Sequence, residues 1–445
     1  MIKKAIVWLL NVPLLSYSLA VFSAEQIEDW VTELDAVAAE QWAVELFTSN
    51  LEADAYVGGV VSIVTRDQIL YEGGFGFADY FNDVQADAFS TPFRSGSTSK
   101  VMTAIAIMQE VENRNIDLDQ SVNDYLERVQ IDESLGTVTV RHLLTHMGGH
   151  EERFRNTLMR EVDSELATED YLEKFKHHQV APPGQRIQYS NYGMGILGVL
   201  LEDVTGLTFR EHLTEHLFSN LGMSNSYIET PEGLPFDTIA REHAISSDGT
   251  INHQEFYYKA PAYLGSGGVF YTAHDMALFM QGVINQAPEV LQPATWEQMT
   301  SVQESENPYS GVGLDFWIYE RDENHTIDHW NGITKYGHSG GTETFISKFL
   351  IYPKSGIGVF VATVGTAGRT YLGQPPFTAT AAIDDFENRF RGAKDYQFSE
   401  QQLSDTEKFE GRYYTALPDR RAALPGVSRP AVPTVATKTP MPLFG

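Results

Sequence analysis

The sequence predicts an α/β fold of the α+β type, in which an antiparallel sheet is built from two distant parts of the chain. Residues 60–65 (VVSIVT) and 68–80 (QILYEGGFGFADY) read as two strands joined by a short polar turn, which predicts a β-hairpin. A second hairpin is predicted at 342–353 and 357–365, around the turn KSG. Helical spacing dominates between the hairpins. This order indicates a large helical region inserted into one sheet, with a cleft between the two parts as the expected site.

The predicted helices rest on apolar residues that recur about every 3.6 positions. Residues 98–113 predict one helix, and the stretch 117–260 reads as mostly helical. A helix over 377–392 (FTATAAIDDFENRFRG) closes the sheet, so terminal helices flank it. Four segments of the inserted region show the spacing and end at glycine or a polar break: VTVRHLLTHMGG (138–149), TEDYLEKFKHH (168–178), YSNYGMGILGVLLEDVTG (189–206) and FREHLTEHLFSNLGM (209–223).

The chain of 445 residues is long enough for one large domain or two intimately packed ones. The last 22 residues hold five prolines and show no periodicity, which is typical of a linker or tail. We find no internal repeat. The predicted organisation is a signal peptide at 1–23, a folded domain at 24–394 and a partly disordered C-terminal extension at 395–445. Within the folded domain, the sheet is expected from residues at about 40–95 and 310–392. The mainly helical insertion is expected at about 97–300.

The first residues read as a secretory signal peptide. Lys3 and Lys4 precede an apolar run, and small residues follow, with cleavage expected after Ala20 or Ser23. A transmembrane anchor is the alternative, but the run is short and Pro13 interrupts it. No later segment is apolar enough to span a bilayer. The sequence therefore predicts a periplasmic or secreted protein, with no transmembrane span in the mature chain.

Composition excludes several functional classes. The chain has no cysteine, so thiol catalysis, disulfides and thiolate metal sites are ruled out. Removing the signal peptide would remove two of the 31 basic residues and none of the 60 acidic ones, which changes the net charge from −29 to about −31. So acidic a surface repels phosphate backbones and makes nucleic acid an unsuitable partner. No specific protein partner is indicated.

The stretch FRSGSTSK (93–100) places a serine three residues before a lysine, at Ser97 and Lys100, directly ahead of a helical run. Residues three apart share a helix face, so the two side chains could meet. A serine becomes nucleophilic when a neighbouring base takes its proton, and a lysine can be that base when burial or positive charge lowers its pKa. No other lysine of the chain has this spacing. The alternative is a helix start with Ser97 or Thr98 as N-cap and Lys100 solvated.

The segment YSNYG (189–193) supplies a phenol and an amide, Tyr189 and Asn191, in the turn before a predicted helix. A phenol can relay a proton to a leaving group, and an amide can hold both a substrate and a lysine. The alternative is an ordinary capped helix start, because YFN at 80–82 has the same spacing in a predicted loop. Spacing alone does not separate these interpretations.

A third group, His338 with Ser339, Gly340 and Gly341, stands at the start of a predicted strand. The two glycines would let a substrate lie against the backbone, where an amide hydrogen can help to hold an oxyanion. The alternative is a simple turn, because the same H-x-G spacing recurs in HMG at 146–148.

Three histidines raise the question of a metal. His142, His146 and His150 are spaced four apart and could line one helix face as metal ligands. However, Gly148 and Gly149 are expected to end the helix before the third histidine, and no acidic residue completes a familiar zinc pattern. We therefore predict no metal site and no other cofactor.

Taken in this order, the groups S-x-x-K, YSN and HSG resemble the motifs of the serine β-lactamase and penicillin-recognising enzyme superfamily, in particular its class C β-lactamase-like branch. The resemblance spans roughly residues 40–392. It implies a β-lactamase/transpeptidase-like fold and identifies 24–394 as a β-lactamase-like serine hydrolase domain. The further patterns that match are LLTHMGG (143–149), PPGQRIQYSNYG (182–193), LGMSNSY (221–227), LGSGGVFYTAHDMALFM (264–280) and GVGLDFW (311–317).

The resemblance also implies roles for individual residues. Ser97 would be the acylated nucleophile, Lys100 its base, Tyr189 the proton relay and Asn191 a positioning amide. The oxyanion hole would be formed by the backbone N–H groups of Ser97 and Gly341. In the family's pattern, His146 of LLTHMGG is structural.

His338 is the main departure from the family's pattern, because a β-lactamase usually has a lysine at this position. That lysine attracts the carboxylate that β-lactams and peptidoglycan stems share, whereas a histidine is largely neutral near pH 7. Relatives of this branch with H-x-G include esterases and peptidases of D-amino-acid substrates. Asn191, His338, Gly340 and Gly341 are assigned to substrate binding.

The predicted function is that of an exported serine hydrolase acting through an acyl-enzyme on an ester, amide or peptidoglycan-like small molecule. A carboxylesterase or a D-amino-acid peptidase fits the H-x-G pattern better than an efficient β-lactamase. The alternative is a penicillin-binding DD-peptidase, or a non-turnover sensor of β-lactams or peptidoglycan. Turnover would separate the enzyme from the sensor.

Overall fold

The computed structural model describes residues 34–153, 157–159, 168–230, 233–246, 248–307, 310–319, 334–366 and 377–391. The segments assigned above to a signal peptide and a C-terminal extension lie outside these residues. The strands are β1 (Gly58–Thr65), β2 (Ile69–Asp79), β3 (Val84–Gln85), β4 (Phe93–Arg94), β5 (Leu158–Met159), β6 (Tyr227–Ile228), β7 (His243–Ile245), β8 (Ile251–His253), β9 (Tyr258–Lys259), β10 (Val269–Tyr271), β11 (Glu304–Asn307), β12 (Ser310–Val312), β13 (Trp317–Tyr319), β14 (Lys335–Gly341), β15 (Phe345–Tyr352) and β16 (Ile357–Val364). The helices are α1 (Ala36–Glu52), α2 (Lys100–Glu112), α3 (Val140–Leu144), α4 (Thr168–Lys174), α5 (Asn191–Thr205), α6 (Phe209–Leu213), α7 (Ser219–Leu221), α8 (Ala273–Ile284), α9 (Pro293–Thr300) and α10 (Ala379–Arg391).

The main sheet combines strands from both ends of the described chain. It has nine antiparallel strands in the order β11-β12-β13-β14-β15-β16-β1-β2-β3. The two predicted hairpins are β1–β2 and β15–β16, and β1 pairs with β16 to join them. Strands that are far apart in the sequence therefore meet at the centre of the sheet.

Helices cover both faces of this sheet. Along β1, Val60 and Val64 pack into the core shared with the helical region, while Val61 and Ile63 face the core under α1 and α10. This separation follows from the alternation of side chains along a strand. Because both faces are covered, β1 reads as a continuous apolar run in the sequence.

The segment between the hairpins is less helical than predicted. The helix predicted over 98–113 is α2, and the closing helix is α10, but α3 is only five residues long. Between α7 and residue 260 the chain forms the short strands β6 to β9 in place of helices. Pro235 cannot continue a helix, and Gly249 adopts φ of 84°, so this part turns repeatedly.

Within the described residues, no helix combines the length and the apolar character that crossing a bilayer requires.

Candidate active site

The turn that carries Ser97 is pressed against the sheet. Residues Gly96–Ser99 form a 3₁₀ turn that leads into α2. Gly96 adopts φ of 54°, and a Cβ on it would lie 2.7 Å from the backbone nitrogen of Gly341. A Cβ on Gly340 would lie 2.1 Å from the carbonyl oxygen of Ser95. Only glycine permits this close approach, which sets Ser97 beside the end of β14.

Lys100 contacts Ser97 as the spacing predicts. Its Nζ lies 2.8 Å from Ser97 Oγ and 2.8 Å from Asn191 Oδ1, and it also bonds the carbonyl oxygen of Ser266. The amide and carbonyl oxygens can only accept hydrogen bonds, so they take the two hydrogens of a neutral amine. The lone pair of that amine then faces the hydroxyl of Ser97. The surroundings of Nζ therefore suit a base.

The electrostatics of the site favour the neutral amine. Lys100 is fully buried, at 0 % exposure. This burial, together with the positive charge of Lys259, lowers the pKa of Lys100 to about 7, although the negative charges of Asp315 and Glu152 oppose the change. A substantial fraction of the lysine is thus unprotonated near neutral pH.

Tyr189 completes the group around the serine hydroxyl. Its side chain lies near Ser97, and the Nζ of Lys100 lies 5.1 Å from the centre of its ring. Burial raises the pKa of Tyr189 well above its ordinary value, the nearby hydroxyl of Ser97 opposes this, and the charge of Asp315 adds to it. The phenol therefore stays protonated and can donate a hydrogen.

Asn191 is held by a carboxylate that the sequence reasoning missed. Asn191 begins α5, and Ser190 caps that helix by accepting the N–H of Gly193. Glu152 accepts hydrogen bonds from Asn191 Nδ2 at 3.1 Å and from Ser190 Oγ at 3.1 Å. Burial raises the pKa of Glu152, and the bond from Asn191 opposes this. The amide is thereby oriented with its oxygen toward Lys100.

The group His338–Gly341 lies at the end of strand β14, which corrects the prediction that it starts a strand. The following strand, β15, begins only at Phe345, after a turn in which Thr342 accepts the N–H of Phe345. Strand β14 was missed because its sequence, KYGHSGG, has too few apolar residues to show the pattern of a strand.

His338 is uncharged in the folded protein. Burial lowers the pKa of His338 to about 4, although the charge of Asp315 opposes this. Its Nδ1 lies 2.6 Å from the carbonyl oxygen of Ser339, which can only accept, so Nδ1 carries the proton. Nε2 has no hydrogen-bond partner among the described residues and presents a lone pair.

His338 also belongs to a buried group that could hold a metal ion by geometry alone. His146, Asp315 and His338 bring one ligand atom each within 4.8 Å of one another. His146 Nε2 lies 3.2 Å from Asp315 Oδ1, an ion-pair distance, but the two are not aligned as a hydrogen bond. Asp315 comes 169 positions after His146, inside the pattern GVGLDFW, and the sequence analysis gave it no role in the site.

The tautomer of His146 argues against coordination at this group. The backbone N–H of Ser190 points at His146 Nδ1, with 3.3 Å between the nitrogens, so Nδ1 must accept. The ring proton is therefore on Nε2, the atom that faces Asp315. A metal at Nε2 would need that proton to be lost, whereas a contact between Nε2–H and the carboxylate needs no change. The residues present therefore fit a buried polar pair better than a metal centre.

The predicted histidine triplet does not form one face. His142 closes a capping box with Thr139 at the start of α3, and His150 contacts the carbonyl oxygen of Asp132 at 2.7 Å. His146 follows the end of α3 with φ of 58° and turns toward the active site. The three side chains have separate partners because α3 ends at Leu144.

The sequence and the fold of this chain are similar to those of known proteins. The family model described as Beta-lactamase matches residues 34–380. The curated Penicillin-binding protein 4 of Amycolatopsis lactamdurans is 27% identical over 333 residues, covering 72% of this chain and 84% of the relative.

Solved structures show the same fold. The chain matches EstCE1, described as a hydrolase with promiscuous acyltransferase activity, with a TM-score of 0.64 and 21% identity over 78% of this chain and 99% of the other. It matches the D-amino acid amidase of Ochrobactrum anthropi SV3 with a TM-score of 0.65 and 17% identity over 80% and 99%. The predicted β-lactamase/transpeptidase-like fold is confirmed. With the family model matching more than half of its length, this chain belongs to the Beta-lactamase family, within the superfamily of serine β-lactamases and penicillin-binding proteins.

Proposed function

We propose that this protein is an exported serine hydrolase that cleaves an ester or amide through an acyl-enzyme at Ser97. The contact geometry of Lys100 carries the proposal, since two obligatory acceptors and one hydroxyl surround its Nζ. A lysine so placed can take the proton of Ser97 near neutral pH. The family and the fold are consistent with this chemistry.

The steps follow from the positions of the side chains. Lys100 takes the proton of Ser97, and Oγ attacks the substrate carbonyl. The backbone N–H groups of Ser97 and Gly341, which meet where Gly96 approaches β14, stabilise the oxyanion. Tyr189 passes a proton to the leaving group and is reprotonated by Lys100, which becomes a neutral amine again. Water then gives a proton to this base and attacks the acyl-enzyme, and the proton returns to Ser97 Oγ as the acid product leaves. None of these proposed steps requires a metal or an organic cofactor.

The neutrality of His338 favours a carboxylesterase or a D-amino-acid peptidase over an efficient β-lactamase. A neutral imidazole cannot offer a β-lactam carboxylate the ionic contact that a lysine offers. Two proteins with the same fold are a hydrolase with promiscuous acyltransferase activity and a D-amino acid amidase. The proposed substrates are therefore small esters or amides, with weak turnover of β-lactams.

A direct test is the intact mass of the protein during turnover of 4-nitrophenyl esters and D-amino-acid 4-nitroanilides, with benzylpenicillin as a third arm. We expect an acyl adduct on a Ser97 peptide that forms and clears while product accumulates. Ser97→Ala should abolish adduct and turnover. Ser99→Ala is the matched control, because the Ser99 hydroxyl donates to the carbonyl oxygen of Gly96 at 3.0 Å and has no other bond among the described residues. Full turnover by Ser97→Ala would refute the proposal.

Export is part of the same proposal and is supported by residues 1–23, which lie outside the described residues. Expression of the full chain in a Gram-negative bacterium should yield a periplasmic protein that begins after Ala20 or Ser23. Retention of the complete N-terminus in the membrane fraction would favour the anchor instead.

A further inference from the structure

The site has lost the cation that the family places on strand β14. His338 occupies the lysine position of the third motif, and it is neutral with its proton on Nδ1. A substrate carboxylate would therefore find no positive charge at this end of β14, because Lys335 at the other end of the strand is buried and paired with Glu387. Lys100 cannot replace it, because its Nζ is enclosed by Ser97, Asn191 and Ser266.

A second lysine reaches the same site from another element. Lys259 lies on β9, and a Cβ on Gly267 would be 3.2 Å from its Nζ and also 3.2 Å from the carbonyl oxygen of Gly96. Lys259 Nζ and the backbone of Gly96, the residue before the nucleophile, therefore both lie next to Gly267. Gly267 directly follows Ser266, which bonds Lys100. Lys259 therefore lies beside the reacting groups although it is 159 positions beyond Lys100.

The ammonium group of Lys259 is not engaged by the described part of the protein. Its backbone N–H bonds Glu229, but among the described residues its Nζ has neither a hydrogen bond nor a carboxylate oxygen within 4.0 Å. Unlike Lys100, Lys259 is partly exposed, and although burial lowers the pKa of Lys259, the negative charge of Glu229 opposes this. An open cation in a cleft wall can bind an anion without first giving up a partner.

The acidic groups around Lys259 are already occupied. Glu229 takes a bidentate contact from Arg94, at 3.0 and 3.1 Å. Glu152 accepts from Asn191 and Ser190. Arg94 itself is held by Glu229 and, at 3.2 Å, by Glu242. Among the described residues, the ammonium group of Lys259 is therefore the one charge of this group that has neither a hydrogen bond nor an ion pair.

We propose that Lys259 binds a carboxylate of the substrate, so that this enzyme selects esters or amides that carry an anionic group. The inference rests on the proposed function and adds a substrate class to it. Lys259 thereby takes the part that a lysine of the third motif has in relatives, but from β9 on a different wall of the cleft. The cation could meet a carboxylate on the acyl side or on the leaving-group side of the scissile bond.

Two pairs of substrates distinguish these sides. Mono(4-nitrophenyl) adipate and 4-nitrophenyl hexanoate have acyl chains of equal length and differ by a carboxylate in place of a methyl group. 4-Carboxyphenyl hexanoate and 4-carbamoylphenyl hexanoate differ by a charge on the leaving group. The measured quantity is the ratio of kcat/KM for the charged and the neutral member of each pair, in the wild type and in Lys259→Met, Lys259→Arg and Lys354→Met. Lys354 is an exposed lysine of the β15–β16 turn and controls for net charge.

In the wild type we expect one pair to favour the charged member. In Lys259→Met this ratio should fall by about tenfold or more, as expected for loss of a charge-assisted hydrogen bond. Lys259→Arg should restore much of the ratio, and Lys354→Met should leave it unchanged.

Two outcomes would overturn the inference. The first is a ratio that Lys259→Met leaves unchanged for both pairs. The second is an equal loss for charged and neutral substrates, which would mean that Lys259 acts only on the basicity of Lys100. Labelling of Ser97 by a fluorophosphonate confirms in each variant that the site is folded. The Ser97→Ala experiment tests the acyl-enzyme mechanism, and the Lys259 variants test carboxylate binding. The two proposals can therefore be refuted independently.

Discussion

The buried charge of Asp315 should set the pH at which the enzyme becomes active. Asp315 has 0 % exposure, and its negative charge raises the pKa of Lys100, opposing the burial and the Lys259 charge that bring it to about 7. The change Asp315→Asn removes the charge with almost no change of shape. Asparagine also tolerates the left-handed backbone of this position, where φ is 67°.

Coulomb's law gives the size of the effect. In a medium with an effective dielectric constant of about 20, two unit charges separated by roughly one nanometre interact by about 1.7 kcal/mol. That energy corresponds to somewhat more than one pKa unit. Without the carboxylate, protonated Lys100 is less stable, so its pKa falls further below 7. The catalytically competent neutral amine then persists to lower pH.

The assay is the pH dependence of kcat/KM on a neutral 4-nitrophenyl ester. The wild type should lose activity as the pH falls through about 7. In Asp315→Asn this acid limb should move to lower pH by about one unit. Asp67→Asn, in the exposed turn between β1 and β2, should leave the profile unchanged. An acid limb that does not move, or that moves to higher pH, would refute the reasoning.

Three further changes test other parts of the structure. Lys100→Met should reduce the rate of acylation of Ser97 by at least about a hundredfold, measured by stopped-flow with a 4-nitrophenyl ester, since the base is removed; a normal burst would contradict this role. His338→Lys should accelerate acylation by benzylpenicillin by about tenfold or more, because a charge-assisted bond to the carboxylate becomes available; an equal gain in the neutral control His338→Gln would argue against charge. Phe386→Ala should lower the free energy of unfolding in urea by about 3 to 5 kcal/mol, because its ring is fully buried in α10, with its centre 5.1 Å from that of Trp42. Phe89→Ala should lower the free energy of unfolding much less, because Phe89 is 50% exposed. If Phe386→Ala lowers it no more than Phe89→Ala does, the packing of α10 on α1 contributes little to stability.

The sequence was sufficient for features that depend on local spacing. The S-x-x-K interval put Ser97 and Lys100 on one side of a turn, and the apolar runs at 60–65 and 357–365, each next to a turn, identified the strands that meet as β1 and β16. These predictions succeeded because periods of 2 and 3.6 residues are fixed by backbone geometry. The helical prediction for 117–260 was less successful, because short strands and turns there depend on distant partners, as β5 depends on β9.

Only the tertiary structure decided the electrostatics of the site. Glu152 and Lys259 belong to none of the motifs, and Asp315 was matched only as part of GVGLDFW; the charges of all three act on Lys100 from different parts of the chain. A lysine has an ordinary pKa near 10.5, and its value here depends on burial and on charges brought together across more than 200 residues of sequence. The sequence by itself therefore determined which groups could react. The folded chain determined their protonation states, because these depend on the distances to charges and to solvent that the sequence does not contain.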